Sequence, residues 1–267
     1  MLSWSCFRTG RFVVLFNNAN THSNDSNNQI LSVMSADGGK TWSRPSLVGA
    51  DIVSGEPQCN TGDGSGAEAC IPGPFIRVDD DPKAATDPVN GDIYAVWNDY
   101  SFGRYAIRMS ISTDGGVSWK EQSKPVNGGS GDTYMASVGV SPINHDIAVG
   151  FYSSVRVPNE NTFKGLFKPG SGGVQEERTR FYLATSKPGV GSFSISPVSP
   201  FFGAPNGQQA GFNGDYSGMV VVGKVAHPIW SDTRNVFKTS TGAYDDEDIF
   251  TTTRTLSGGH ATTARGG

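Results

Sequence analysis

Ser35-Ala36-Asp37-Gly38-Gly39-Lys40-Thr41-Trp42 and Ser112-Thr113-Asp114-Gly115-Gly116-Val117-Ser118-Trp119 share one pattern, S-x-D-G-G-x-[ST]-W. Each follows residues that alternate as a strand does, Gln29 to Met34 and Ala106 to Ile111. The pattern predicts a hairpin corner. An Asp at this position accepts hydrogen bonds from backbone N–H groups just ahead of it. The two glycines supply the positive φ of a tight turn. Thr or Ser returns the chain to extended geometry, and the Trp is large enough to wedge between neighbouring sheets. Two occurrences after the same strand pattern mark a repeat.

The repeat extends outward from these corners. Each unit reads as strand, turn, strand ending in an aromatic, loop, then a third strand. The first turns at Arg8-Thr9-Gly10 and the second at Pro88-Val89-Asn90-Gly91. The third turns at Ser141-Pro142-Ile143-Asn144 and the fourth at Gly223-Lys224. Phe16, Trp97, Phe151 and Trp230 close the four second strands. After the third unit, Ser186 to Phe193 keeps Gly and a terminal aromatic without the Asp. After the fourth, the pattern is absent. Strands of period two, with no helical periodicity, predict an all-β propeller.

The two corners resemble Asp-boxes, the repeat of sialidases and related β-propellers. The resemblance covers nearly the whole chain and implies an all-β Asp-box β-propeller as the fold class. The recognisable blades lie at about 1–50, 75–122, 132–195 and 213–257 of a single domain spanning 1–267. Complete sialidase propellers have six blades. Four units fit either a four-bladed propeller or part of a longer one that lacks N-terminal blades. Asn213 to Gly218 and Pro228 to Arg234 resemble sialidase-like proteins of unsettled function. In this family Asp-boxes sit on the rim away from the active site. The resemblance therefore makes Ser35, Asp37, Gly39, Trp42, Ser112, Asp114, Gly116 and Trp119 structural.

Strand alternation places chemistry on the opposite rim, at the starts of first strands, the ends of second strands and the starts of third strands. That set includes Asn17, Asn98, Asp99, Tyr100, Tyr152, Arg156, Asp232 and Arg234, with Asp132, Tyr134, Asp215 and Tyr216. Arg104, Arg178, Arg180 and Asp248 complete it. Converging arginines could hold a carboxylate bidentately. The resemblance implies this use for sialic acid, with an Asp as general acid and a Tyr as nucleophile. Asp215 and Tyr216 are the catalytic candidates. Arg234, Arg156, Asp99, Asp232 and Arg104 are the substrate-binding candidates, and Asp215, Tyr216 and Arg234 are expected to line one opening. A structural ion pair is the competing reading, favoured for Asp232. No Arg-Ile-Pro run is present, and Glu176, Glu177 and Glu247 match no family motif.

The expected function is therefore a sialidase-like exo-glycosidase acting on a terminal acidic sugar. The alternatives are a non-catalytic glycan- or protein-binding propeller and an inactive truncated one. Composition narrows the partners. The net charge is −4 over 267 residues and no basic patch stands out, which argues against nucleic acid. No apolar run approaches the ~18 residues of a membrane span. Met1 to Phe16 reads as a strand rather than a signal peptide, and Asn24-Asp25-Ser26 is a candidate sequon. By resemblance the protein is extracellular. There, Cys59 and Cys70 could close the Gly-rich loop between them or remain free thiols, with Cys6 left over. No cofactor is expected. Asp79-Asp80-Asp81 and Asp245 to Asp248 could ligate calcium, although no motif supports it. His22, His145, His227 and His260 share no metal-ligand spacing.

Overall fold

The computed structural model describes residues 2–6, 10–19, 27–60, 67–71, 76–126, 131–155, 179–189, 191–203, 213–240 and 242–256. They are all-β and antiparallel. The first sheet holds β1 (Leu2–Cys6), β2 (Phe12–Asn18), β3 (Asn27–Ser35) and β4 (Ser46–Ile52), side by side in chain order. A small sheet follows, made of β5 (Gln58–Asn60), β6 (Ala67–Ile71) and β7 (Ile76–Arg77). The second large sheet is β8 (Lys83–Thr86), β9 (Ile93–Asp99), β10 (Ala106–Ser112) and β11 (Lys120–Glu121). The third is β12 (Asp132–Val140), β13 (Ile147–Ser154), β14 (Thr179–Ser186) and β15 (Ser194–Pro197). The last is β16 (Gly218–Val222), β17 (Val225–Thr239) and β18 (Gly242–Thr251). β19 (Arg254–Thr255) pairs β17 in the same register as β18 and so continues it beyond a short break.

Two features differ from the sequence reading. The small sheet was not anticipated, because strands of two to five residues are too short to show a period. The second strand of the last unit, expected to end at Trp230, runs on to Thr239. A register shift between Asp232 and Asn235 lets it continue, so Thr233 and Arg234 sit in a bulge inside the strand rather than beyond its end. Cys70 is buried and disulfide-bonded, while the side chain of Cys59 lies outside the described residues. No helix among the described residues is long and apolar enough to cross a membrane.

The large sheets pack in a row. β1 lies against β8, β8 and β9 against β12, and β12 and β13 against β16. Among the described residues no comparable packing joins the first sheet to the last. The core is accordingly a series of clusters between sheets. Val13, Leu15, Ile30 and Val48 meet Trp97 between the first two, and Tyr94, Val96 and Met109 meet Val149 and Phe151 between the next two. Leu183 meets Ala226 and Leu256 at the last junction. Coverage decides how each strand reads. β9 and β12 lie between neighbours and are buried at every position, whereas β2 alternates. The second-strand aromatics follow suit. Trp97, Phe151 and Trp230 are buried against the preceding sheet, while Phe16 is only half-buried. The free face of the last sheet exposes Val220, Val222, Ile229 and Ile249.

The two S-x-D-G-G-x-[ST]-W turns have the same internal structure. Asp37 Oδ1 accepts from the N–H groups of Lys40 (3.0 Å) and Thr41 (2.9 Å), and Oδ2 accepts from Thr41 Oγ1 (2.6 Å). Ser35 Oγ donates to Asp37 Oδ1 and accepts from Gly39 N, both at 2.8 Å. Asp114 repeats this with Val117, Ser118 and Ser112. Gly38, Gly39, Gly115 and Gly116 all have positive φ. Only the second turn docks. Trp119 Nε1 donates to Ser32 Oγ of the first sheet at 2.9 Å, and a Cβ on Gly116 would come within 2.8 Å of Val13. Among the described residues no other sheet covers Trp42, which is 46% exposed, contrary to the expected inter-sheet wedge.

Two outcomes are expected. Gly49 lies against the Trp97 ring, and a Cβ there would sit 2.4 Å from it. Gly49→Ala should cost about 1–3 kcal/mol by chemical denaturation. Hydrogen bonds from Thr41 and Ser118 hold the pKa values of Asp37 and Asp114 at about 2, below the usual carboxylate value of 3.8. A lowered folded pKa stabilises the fold above the unfolded value and loses that stabilisation as pH falls through the folded one. The melting temperature should therefore drop between about pH 4 and pH 2. The drop should be smaller in the Asp37→Asn/Asp114→Asn variant.

Candidate functional site

The turns described above and the first-to-second-strand turns share one rim. The opposite rim gathers the entries to β8, β12 and β16 and the upper parts of β9, β13 and β17. Its organising residue is Met135. The bulge between Tyr134 and Ser137 puts Met135 at φ 50°, a conformation a non-glycine residue seldom takes. Both of its backbone groups are held. Asn98 Oδ1 accepts from Met135 N (3.1 Å), and Ser217 Oγ donates to Met135 O (2.7 Å). Asn98 also donates from Nδ2 to Asp80 Oδ1 at 2.7 Å. One chain of hydrogen bonds thus ties the entries of the second, third and fourth sheets together.

Beside it, the segment leading into β8 meets the segment leading into β16. The Arg77 guanidinium pairs with Asp215 (3.3 Å), Asp79 (3.3 Å) and Glu68 (3.0 Å). Lys83 Nζ lies 4.3 Å from the centroid of the Tyr216 ring. Arg77, Glu68, Asp79, Asp80, Asp81 and Asn17 line a cleft of about 390 Å³, within the usual range for small-ligand sites. Burial raises the Asp79 carboxyl despite Arg77 beside it. Burial lowers the Lys83 ammonium, opposed by Asp81, Asp79 and Asp215. Burial and the carboxylates of Asp215, Asp81 and Asp79 raise the Tyr216 phenol. This geometry offers cations that can face an anionic group, and a carboxyl held in its acid form to higher pH than usual.

A second group of carboxyls lies behind the cleft, between the first two sheets. Asp80 is driven well above its ordinary value by burial, then by Asp51 and Glu56. Asp51 is pushed to about 7 by burial, although Asn17 Nδ2 donates to its Oδ2 at 2.6 Å. Glu56 Oε2 accepts from the Tyr105 hydroxyl (3.3 Å) and is also raised by burial. Asp99, 1% exposed, is raised by burial and accepts from Ser101 Oγ at 2.7 Å. Among the described residues no group of three or more His, Cys, Asp or Glu side chains is arranged to hold a metal ion.

The sequence-predicted site residues divide. Asp215 pairs with Arg77 at the edge of the cleft and Tyr216 lies against Lys83, and neither lines the cleft itself. Arg234 does not join them through any contact of the described residues. It embraces Asp232, with Nε 2.8 Å from Oδ1 and Nη2 in close contact with Oδ2, and its guanidinium carbon lies 3.8 Å from the Phe250 ring centroid. Asp232 is fully buried and also accepts from Trp230 Nε1 at 2.8 Å. Arg104 donates to the Gly131 carbonyl, and Asp99 is turned into the buried carboxyl group. Arg156 and Arg178 lie outside the described residues, as do His22, His260, Glu176, Glu177 and the sequon. Sequence reading passed over Arg77, Glu68 and Lys83 and considered Asp79 to Asp81 only as calcium ligands. The signal was present, because the first-strand-entry rule that selected Asp132 and Asp215 selects residues 79–83 in the second unit.

Asp51 generates a pH prediction. Its raised folded pKa means that stability is complete below the unfolded value of 3.8 and is lost as pH climbs through about 7. Asp51→Asn should raise the melting temperature more at pH 8 than at pH 5. Equal shifts at both would contradict the assignment.

No protein-family model matches the chain, and no curated protein does. Solved structures match over nearly its whole length. The Hadza microbial sialidase Hz136 aligns over 94% of this chain and 43% of its own, at 14% identity and TM-score 0.50. The phage phi92 endosialidase aligns over 97% and 35%, at 10% identity and TM-score 0.52. The α-L-arabinofuranosidase Arb93A from Fusarium graminearum aligns over 96% and 62%, at 10% identity and TM-score 0.50. The chain therefore spans less than two thirds of each of these relatives. At such identities the likeness is one of fold alone, the propeller-like all-β fold of these structures.

Proposed function

We propose that the chain is a glycan-processing Asp-box propeller, its four sheets serving as blades. In this reading it works as a sialidase-like exo-glycosidase on a terminal acidic sugar. The observation that carries the reading is the meeting of Arg77 with Asp215, 138 residues apart, on the rim opposite the two turns. Propeller geometry brings the entries of inner strands to one axis, and the fold neighbours are glycosidases. Arg77 and Lys83 would face the sugar carboxylate. Asp79 would donate a proton to the leaving oxygen, which its raised pKa favours. Tyr216 would attack with Asp215 taking its proton, since its raised pKa leaves little phenolate at neutral pH. The disulfide-bonded Cys70 accords with an extracellular setting.

A second reading, glycan binding without turnover, rests on one specific observation. Three carboxylates already surround the Arg77 guanidinium, so a sugar carboxylate must displace at least one of them.

The test is fluorophore release from an aryl α-sialoside between pH 4 and pH 7. Turnover with an acidic optimum is expected. Arg77→Ala and Asp215→Asn should each lower kcat/KM at least about a hundredfold, as loss of a charge-assisted or proton-transfer contact does. The melting temperature of each variant separates lost chemistry from lost fold. Sialoside binding without turnover would establish the second reading, and neither binding nor turnover would overturn both.

A further inference from the structure

We propose that the groove between the second and third sheets, on the rim that carries the two turns, is a separate binding site for an anionic saccharide. The groove has a volume of about 600 Å³, larger than the cleft on the opposite rim. It exists because the third unit lacks the aspartate turn. In the first two units Ser35 and Ser112 donate to that aspartate. In the third, Ser186 donates instead to the Lys187 carbonyl (3.0 Å), and no carboxylate draws the loop closed. Trp119 covers the junction of the first two sheets by docking on Ser32. The junction of the second and third is left with Trp119 on one wall and Phe193, half-buried, on the other.

The lining has the chemistry of sugar recognition. Aromatic walls suit the apolar faces of a pyranose, and Gln122 with neighbouring hydroxyls can serve its oxygens. Tyr94 borders the groove. Burial, then Asp92 and Asp87, push its phenol up to about 12, so the hydroxyl keeps its proton and can donate to a ligand oxygen. Charge sets the ligand's sign. Glu121 is engaged by Arg108, and Asp92 accepts from Asn90. Lys120 and Lys187 are exposed and have no carboxylate partner among the described residues. A peptide is disfavoured, because β11, the edge strand here, is two residues long and gives little backbone for strand addition.

The test is calorimetric titration of the whole chain with a sulfur-linked methyl sialoside, which resists hydrolysis. Methyl thiogalactoside and a tetraglutamate peptide serve as comparisons. The sialoside should bind more tightly than either. Lys120→Glu/Lys187→Glu should weaken it about tenfold or more, as reversal of paired charges does. Tyr94→Phe, which removes one oxygen and keeps the ring, should weaken it several-fold. Arg77→Ala, on the opposite rim, should leave one saccharide site intact. Three results would overturn the proposal: binding lost in Arg77→Ala but unchanged in the lysine variant, tighter binding of tetraglutamate, or no sialoside binding by a chain with an unaltered melting temperature. Because the variants lie on opposite rims, failure here and failure of the glycosidase reading are distinguishable.

Discussion

Much of the molecule hangs on the backbone of Met135. A β-branched or bulky residue held at positive φ is under strain, and even an unbranched one is disfavoured by its Cβ. The bulge persists because Asn98 and Ser217 hold the two backbone groups from either side. Without it, β12 would run straight past its neighbours, and the entries to β8 and β16 would have no common strut. With it, Asp80, Asn98, Met135 and Ser217 form one rigid bar beneath the cleft. Arg77 and Asp215 meet above that bar. Local strain is thus stored beside the place where the charged groups converge, as is common near functional sites.

The fold was largely legible in the sequence because its signals are local. Asp37 and Asp114 satisfy backbone groups within four residues of themselves, and the alternation in Gln29 to Met34 or Ala106 to Ile111 needs no distant information. The contrast between Trp42 and Trp119 was not legible. Both belong to the same pattern, and only the presence of a preceding sheet decides which one is covered. The small sheet was missed for a different reason. Strands of two to five residues are too short to show a period.

The site was half legible. Alternation of strand direction gathered Asp215 and Tyr216 on the rim opposite the two turns, where Asp215 meets Arg77. It could not assign partners. Whether Arg234 reaches the axis depends on a single register shift, and that shift folds its guanidinium back over Asp232 and Phe250. Arg77 was overlooked because it lies in β7, a strand of only two residues, and its meeting with Asp215 depends on how the successive sheets pack on one another. Angles between sheets are set by side-chain volumes at their contacts, a property spread over many residues and absent from any short motif.

The serial packing of the sheets has a consequence for how the molecule comes apart. Each large sheet owes its stability to the neighbours it touches, as in stacked repeat proteins. Among the described residues the second and third sheets pack against a neighbour on both sides, while the first and last do so on one. Local opening is easiest where fewest apolar contacts must break. Amide protons of β9, β12 and β13 will therefore exchange with solvent last, and those of β16 and β2 early. Denaturation becomes a process that enters at the two ends of the row and closes on Met135.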